Sequence, residues 1–108
     1  MSSYIKLDIP VNDLKFDVNN PRFNAQKNQV GAIQIMLEEQ ASKILKLTED
    51  IVTHGLNPSE LTIAIKNQKT YTVMEGNRRL TALKLLENPS LASNPSLIAK
   101  IEKLCLGY

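Results

Sequence analysis

The sequence predicts an α+β fold in which a small mixed β-sheet is covered by helices. Three observations predict it. Two short runs rich in Ile, Thr, Tyr and Val, Leu61 to Lys66 and Thr70 to Met74, flank Asn67-Gln68-Lys69 and read as a β-hairpin. Longer stretches on either side carry apolar residues at helical spacing. Gly and Asn-Pro pairs stand where those stretches should stop or start.

Tyr4 to Val11 alternates partly and reads as a strand ending near Pro10. Asn12 to Phe23 is turn-rich, but Leu14, Phe16, Val18 and Phe23 give it apolar anchors, so an ordered loop is expected. Gln29 to Gln40 forms a helix with Val30, Ile33, Met36 and Leu37 on one side. Ser42 to His54 forms a second, with Ile44, Leu47 and Ile51 on one face, widened by Leu45 and Val52. Gly55 suits a left-handed C-terminal cap. After the hairpin, Asn77 to Glu87 is a helix with Leu80, Ala82, Leu83 and Leu86 inward, stopped by Asn88-Pro89. Asn94-Pro95 pairs a cap with Pro at the first helical position, and a last helix runs to about Leu106.

The bulk numbers bound the function. With 108 residues, 43% hydrophobic and 22% charged, the chain is one small domain with an ordinary globular composition. Net charge is only +2, so an anion site must come from local arrangement rather than overall charge. Cys105 has no disulfide partner, Met1 to Pro10 lacks an apolar signal segment, and no apolar run is long enough to span a bilayer. A cytoplasmic protein is the expectation. Asn57, Asn88 and Asn94 each precede Pro-Ser, which excludes glycosylation at those sites. No His/Cys cluster and no Gly-x-x-x-x-Gly-Lys loop occurs. His54 reads as a helix-end residue, Cys105 as half-buried, and Asp13 and Asp17 as loop carboxylates.

The chemistry concentrates in Glu75-Gly76-Asn77-Arg78-Arg79. Gly76 permits a tight strand-to-helix turn and close approach of a ligand, and Asn77 is expected as the N-cap. Arg78 and Arg79 then fall in the first helical turn, where cations are unfavourable by roughly 0.3–1 kcal/mol each. A bound phosphate would reverse that sign, because backbone N–H groups, the helix dipole and two guanidinium forks would all favour it. Solvated arginines, or a pair with Glu75, is the competing reading of the same residues.

Gly76-Asn77-Arg78-Arg79-Leu80-Thr81-Ala82 resembles the Gly-Glu-Arg-Arg-x-x-Ala box of the N-terminal domain of ParB-type partition proteins. Ile9-Pro10 through Asn20-Pro21-Arg22-Phe23 resembles that family's opening strand and Pro-Arg box. Leu47 to Leu56 resembles its helix ending in Gly-Leu, and Asn57-Pro58 to Glu75 its following strand and hairpin. The ordered boxes span about residues 5–87 and point to the ParB/sulfiredoxin superfamily, which holds several activities. The resemblance implies a ParB-like domain over 1–90 and a C-terminal helix, 91–108, leading toward a downstream domain. It implies CTP or ATP with Mg²⁺ as ligand, phosphate contacts from Gly76, Arg78 and Arg79, Arg22 in the same pocket, and Gly55 with Leu56 as a neighbouring wall.

Asn77 belongs to the same expected nucleotide-binding set, yet it replaces the family's Glu and the reactive Cys of sulfiredoxins. Binding is therefore favoured over hydrolysis, and sulfiredoxin activity is disfavoured. The second phosphate box and helix-turn-helix of partition proteins do not occur by Tyr108, which suits either a fragment or a reduced member. The expected function is nucleoside triphosphate binding within a DNA-associated, homodimeric protein. The alternatives are a Mg-dependent nuclease or phosphotransferase with Glu75 as acid/base or metal ligand, and a non-catalytic DNA-binding module using Arg22, Arg78 and Arg79.

Overall fold

The computed structural model describes residues 11–23, 28–55 and 63–106. Most of the expected opening strand lies outside these residues. Its last residue, Val11, begins a 3-10 turn, Val11–Asp13. The first described strand is β1, Leu14–Phe16, inside the segment expected to be loop. Three residues are too few for alternation to be legible; β1 is selected by tertiary pairing with a distant strand rather than by local preference.

That partner belongs to the hairpin. β2 (Ile63–Asn67) and β3 (Thr70–Glu75) pair antiparallel, and β1 joins β3 in parallel, giving a three-stranded mixed sheet of order β1-β3-β2. Leu14, Lys15 and Phe16 lie opposite Tyr71, Thr72 and Val73. This register brings buried Phe16 beside buried Val73. The far edge of β1 is closed by a side chain: Phe16 N–H donates to Gln29 Oε1 (2.8 Å), and Gln29 Nε2 donates to Phe16 O (3.0 Å). One amide thus satisfies both backbone groups, as a fourth strand would.

Gln29 also opens α1, Gln29–His54, which Asn28 caps by accepting from Gly31 N–H at 2.7 Å. The two helices expected here are present as two helical runs within α1 that meet at a kink, where Gln40 leaves helical geometry with φ −140° and ψ 32°. Ile33, Met36, Ile44 and Ile51 are buried as expected, whereas Leu47 is only half-buried and Thr48 is fully buried. Thr48 tolerates that position because its hydroxyl donates to Ile44 O at 2.7 Å. α2, Asn77–Glu87, has the expected bounds. Its inward face is Leu80, Thr81, Ala82 and Leu85, while the expected Leu83 and Leu86 are half-buried. The core sits at the 3.6-residue repeat that passes through Leu85.

The three Asn-Pro pairs among the described residues each start a turn or a helix. Asn20, Asn88 and Asn94 each accept through Oδ1 from the N–H two residues on, at 2.9, 3.2 and 2.9 Å. They open the 3-10 turns Pro21–Phe23 and Pro89–Ala92 and the last helix, α3, Pro95–Leu106. α3 does not stand apart from the domain: Ile101 is fully buried in the same cluster as Phe16, Phe23, Met36, Leu80 and Leu85. Phe16 and Phe23 meet edge to face at 5.7 Å. The fold is α+β, a small mixed sheet with helices packed against it.

Candidate functional site

β3 ends at Glu75, and the chain enters α2 through Gly76 at φ 105° and ψ 31°. This left-handed geometry suits Gly and strains other residues. It also moves the helix start. Gly76, not Asn77, is the N-cap, and it offers no side-chain acceptor. Asn77 is instead the first helical residue, so its expected capping role is corrected. Its backbone carbonyl accepts from Thr81 Oγ1 at 2.8 Å, and its side-chain Oδ1 is buried without a hydrogen-bond partner among the described residues. Gly76 gives the first-turn N–H groups no side-chain cap, at the end of the helix where its dipole places partial positive charge.

An open cleft of about 340 Å³ lies over this junction. Met74, Glu75, Gly76, Asn77 and Arg78 line one side. Asn20 and Arg22 enter from the Pro21–Phe23 turn, and Gln40 from the kink in α1. Arg22 is held at both ends: its N–H donates to Asn20 Oδ1, and its Nη1 reaches Met36 Sδ at 3.6 Å, a weak acceptor. Arg78 Nε donates to Gln40 Oε1 at 2.8 Å. Neither acceptor carries charge, so these contacts leave both guanidinium charges uncancelled. Glu75 is exposed on the rim of the same cleft.

The expected site residues therefore divide. Arg22, Glu75, Gly76, Asn77 and Arg78 share one cleft, although Arg22 is more than fifty positions from the rest. Arg79, half-buried, and Gly55 lie outside the lining. Gly55 ends α1 with φ 74° and ψ −174°, its N–H donating to Ile51 O at 2.8 Å. A Cβ there would meet nothing within 4 Å, so backbone conformation rather than a close neighbour accounts for the glycine. Leu56, the other half of the expected wall, lies outside the described residues. Asn20, Gln40 and Met74 line the cleft and were not expected there. The break between two apolar repeats at residues 40–42 was the one signal in the sequence that marked Gln40 as special.

His54 is exposed in the last turn of α1, and Cys105 is half-buried with Sγ 3.7 Å from Leu86 O. Among the described residues no group of three His, Cys, Asp or Glu could hold a metal, and no helix is long and apolar enough to cross a membrane. Compared with protein-family models, curated proteins and solved structures, the chain finds no match.

Proposed function

We propose that this domain binds a nucleoside triphosphate, CTP or ATP, with its phosphates over the start of α2, and that it belongs to a DNA-associated protein of ParB-like kind. The observation that carries the reading is the convergence of Arg22 and Arg78 on an uncapped helix start opened by a left-handed glycine. The rest of the lining suits a nucleotide better than inorganic phosphate. A volume of about 340 Å³ falls in the roughly 300–1,000 Å³ range of small-molecule sites. Met74, 43% exposed, adds an apolar, polarisable surface that a base or sugar can cover. Mg²⁺ fits as a companion of the phosphates rather than as a resident of a protein cage, since it is commonly held by one or two protein oxygens plus substrate phosphates. The Glu75 carboxylate is a side-chain oxygen on this side of the cleft, and Asn77 beside it keeps a buried Oδ1 with no partner among the described residues. One carboxylate without an orienting partner among the described residues favours binding over hydrolysis or strand cleavage.

Thermal unfolding with CTP, ATP, GTP and UTP, each with Mg²⁺, tests this reading. A ligand at a hundred times its Kd stabilises by about 2.7 kcal/mol, a rise of roughly 10 °C or more in Tm for a domain of this size. Arg78→Glu is expected to abolish the rise, because a carboxylate then stands where the guanidinium faces the phosphates. No rise with any triphosphate or with pyrophosphate defeats the proposal. A rise with duplex DNA alone, collapsing steeply with salt, replaces it with the DNA-binding reading.

A further inference from the structure

The kink in α1 has no ordinary breaker behind it. Glu39-Gln40-Ala41 contains neither Pro nor Gly, the usual causes of a sharp bend. Gln40 nevertheless leaves helical geometry, with φ −140° and ψ 32°. What the departure gains is a contact across 38 positions, from Arg78 Nε to Gln40 Oε1 at 2.8 Å, on the exposed wall of the open cleft.

We infer that Gln40 is the positioning residue for Arg78: the kink in α1 brings its amide to Nε, so that the guanidinium meets a phosphate end-on through its two terminal nitrogens. This rests on the anion-site reading above and adds the group that sets the orientation of its arginine. A guanidinium can grip a phosphate side-on, through Nε and one terminal nitrogen, or end-on, through both terminal nitrogens. With Nε already donating to Gln40, the end-on edge remains. Holding the side chain beforehand also reduces the ordering entropy lost on binding. An amide suits this task because Oε1 accepts without adding negative charge. A carboxylate in its place would hold Nε equally well but repel the incoming anion.

Two variants of the full chain separate these effects. Gln40→Met keeps the length and removes the acceptor; Gln40→Glu keeps an acceptor and adds charge. The first readout needs no ligand: the solvent exchange rate of the Arg78 Nε–H, followed by NMR. It is expected to be slow in wild type and Gln40→Glu, and about tenfold faster in Gln40→Met, the scale of one net hydrogen bond. The second is affinity for the Mg²⁺ complex of CTP or ATP by calorimetry. Gln40→Met should weaken it about three- to tenfold, and Gln40→Glu further. In an Arg78→Met background, Gln40→Met should cause no additional loss, because the side chain it positions is gone. Wild-type binding with unchanged exchange or unchanged affinity in Gln40→Met overturns the role of Gln40 and leaves the anion site standing. Equal loss in both backgrounds also overturns it, since the effect then runs through the helix and not through Arg78. A wild-type protein that binds neither triphosphate nor pyrophosphate removes the anion site and the purpose of the contact together.

Discussion

At Gly76 one backbone angle decides where α2 starts, and so which side chains sit in its first turn. An L-residue in that conformation is strained, and the same glycine leaves the helix uncapped. Lys84, two turns further along α2, meets a different constraint. Its Nζ donates to Val11 O at 2.9 Å, pinning the Val11–Asp13 turn to the helix. Burial lowers its pKa from 10.5, Lys15 lowers it further, and Glu87 and Asp13 partly oppose the change. The folded chain therefore releases this proton at lower pH than the unfolded chain does. Between the folded value and 10.5 the unfolded state binds more protons, so stability from this group rises with pH. Urea unfolding of wild type and Lys84→Met at several pH values from 8 to 10.5 checks the sign. The difference should move in favour of wild type as pH rises, and a flat difference would show that Lys84 keeps an ordinary pKa.

Among the elements, β1 depends most on its neighbours. Three residues cannot hold a strand alone; parallel pairing with β3 covers one edge, and the Gln29 amide covers the other at Phe16. Gln29→Leu leaves a backbone N–H and a carbonyl without that partner in a half-buried setting. It is expected to destabilise the domain by about 1–3 kcal/mol in chemical unfolding. Hydrogen exchange at Phe16 N–H should accelerate first, because the loss falls at the sheet edge. Loss of protection spread evenly over the domain would mean that Gln29 acts through the start of α1 instead.

For the whole molecule, the position of α3 matters most. Fully buried Ile101 shares a cluster with residues of β1, α1, β3 and α2. A helix packed this way unfolds with the domain. Ile101→Ala should lower stability by about 2–5 kcal/mol in a single cooperative transition. A separate early transition for α3, seen by hydrogen exchange, would make it an appendage.

Local chemistry was legible where it acts over a few residues. The hairpin, the bounds of α2, the cap at Asn94 and the glycine-arginine turn follow from propensity, Asx geometry and the conformational range of glycine, whereas Gly55 ends α1 at φ 74° and ψ −174° rather than in the expected left-handed cap. Other features depend on partners distant in sequence. β1 needed β3; the break in α1 was legible at residues 40–42, but its contact to Arg78 was not; Leu85 rather than Leu83 or Leu86 faces the core because of where α1 lies. The sequence by itself determined an α+β chain with an arginine-bearing helix start. The resemblance implied Arg22 in the same pocket; only the tertiary structure brought Gln40 to that cleft, because long-range packing, not spacing along the chain, sets which side chains meet.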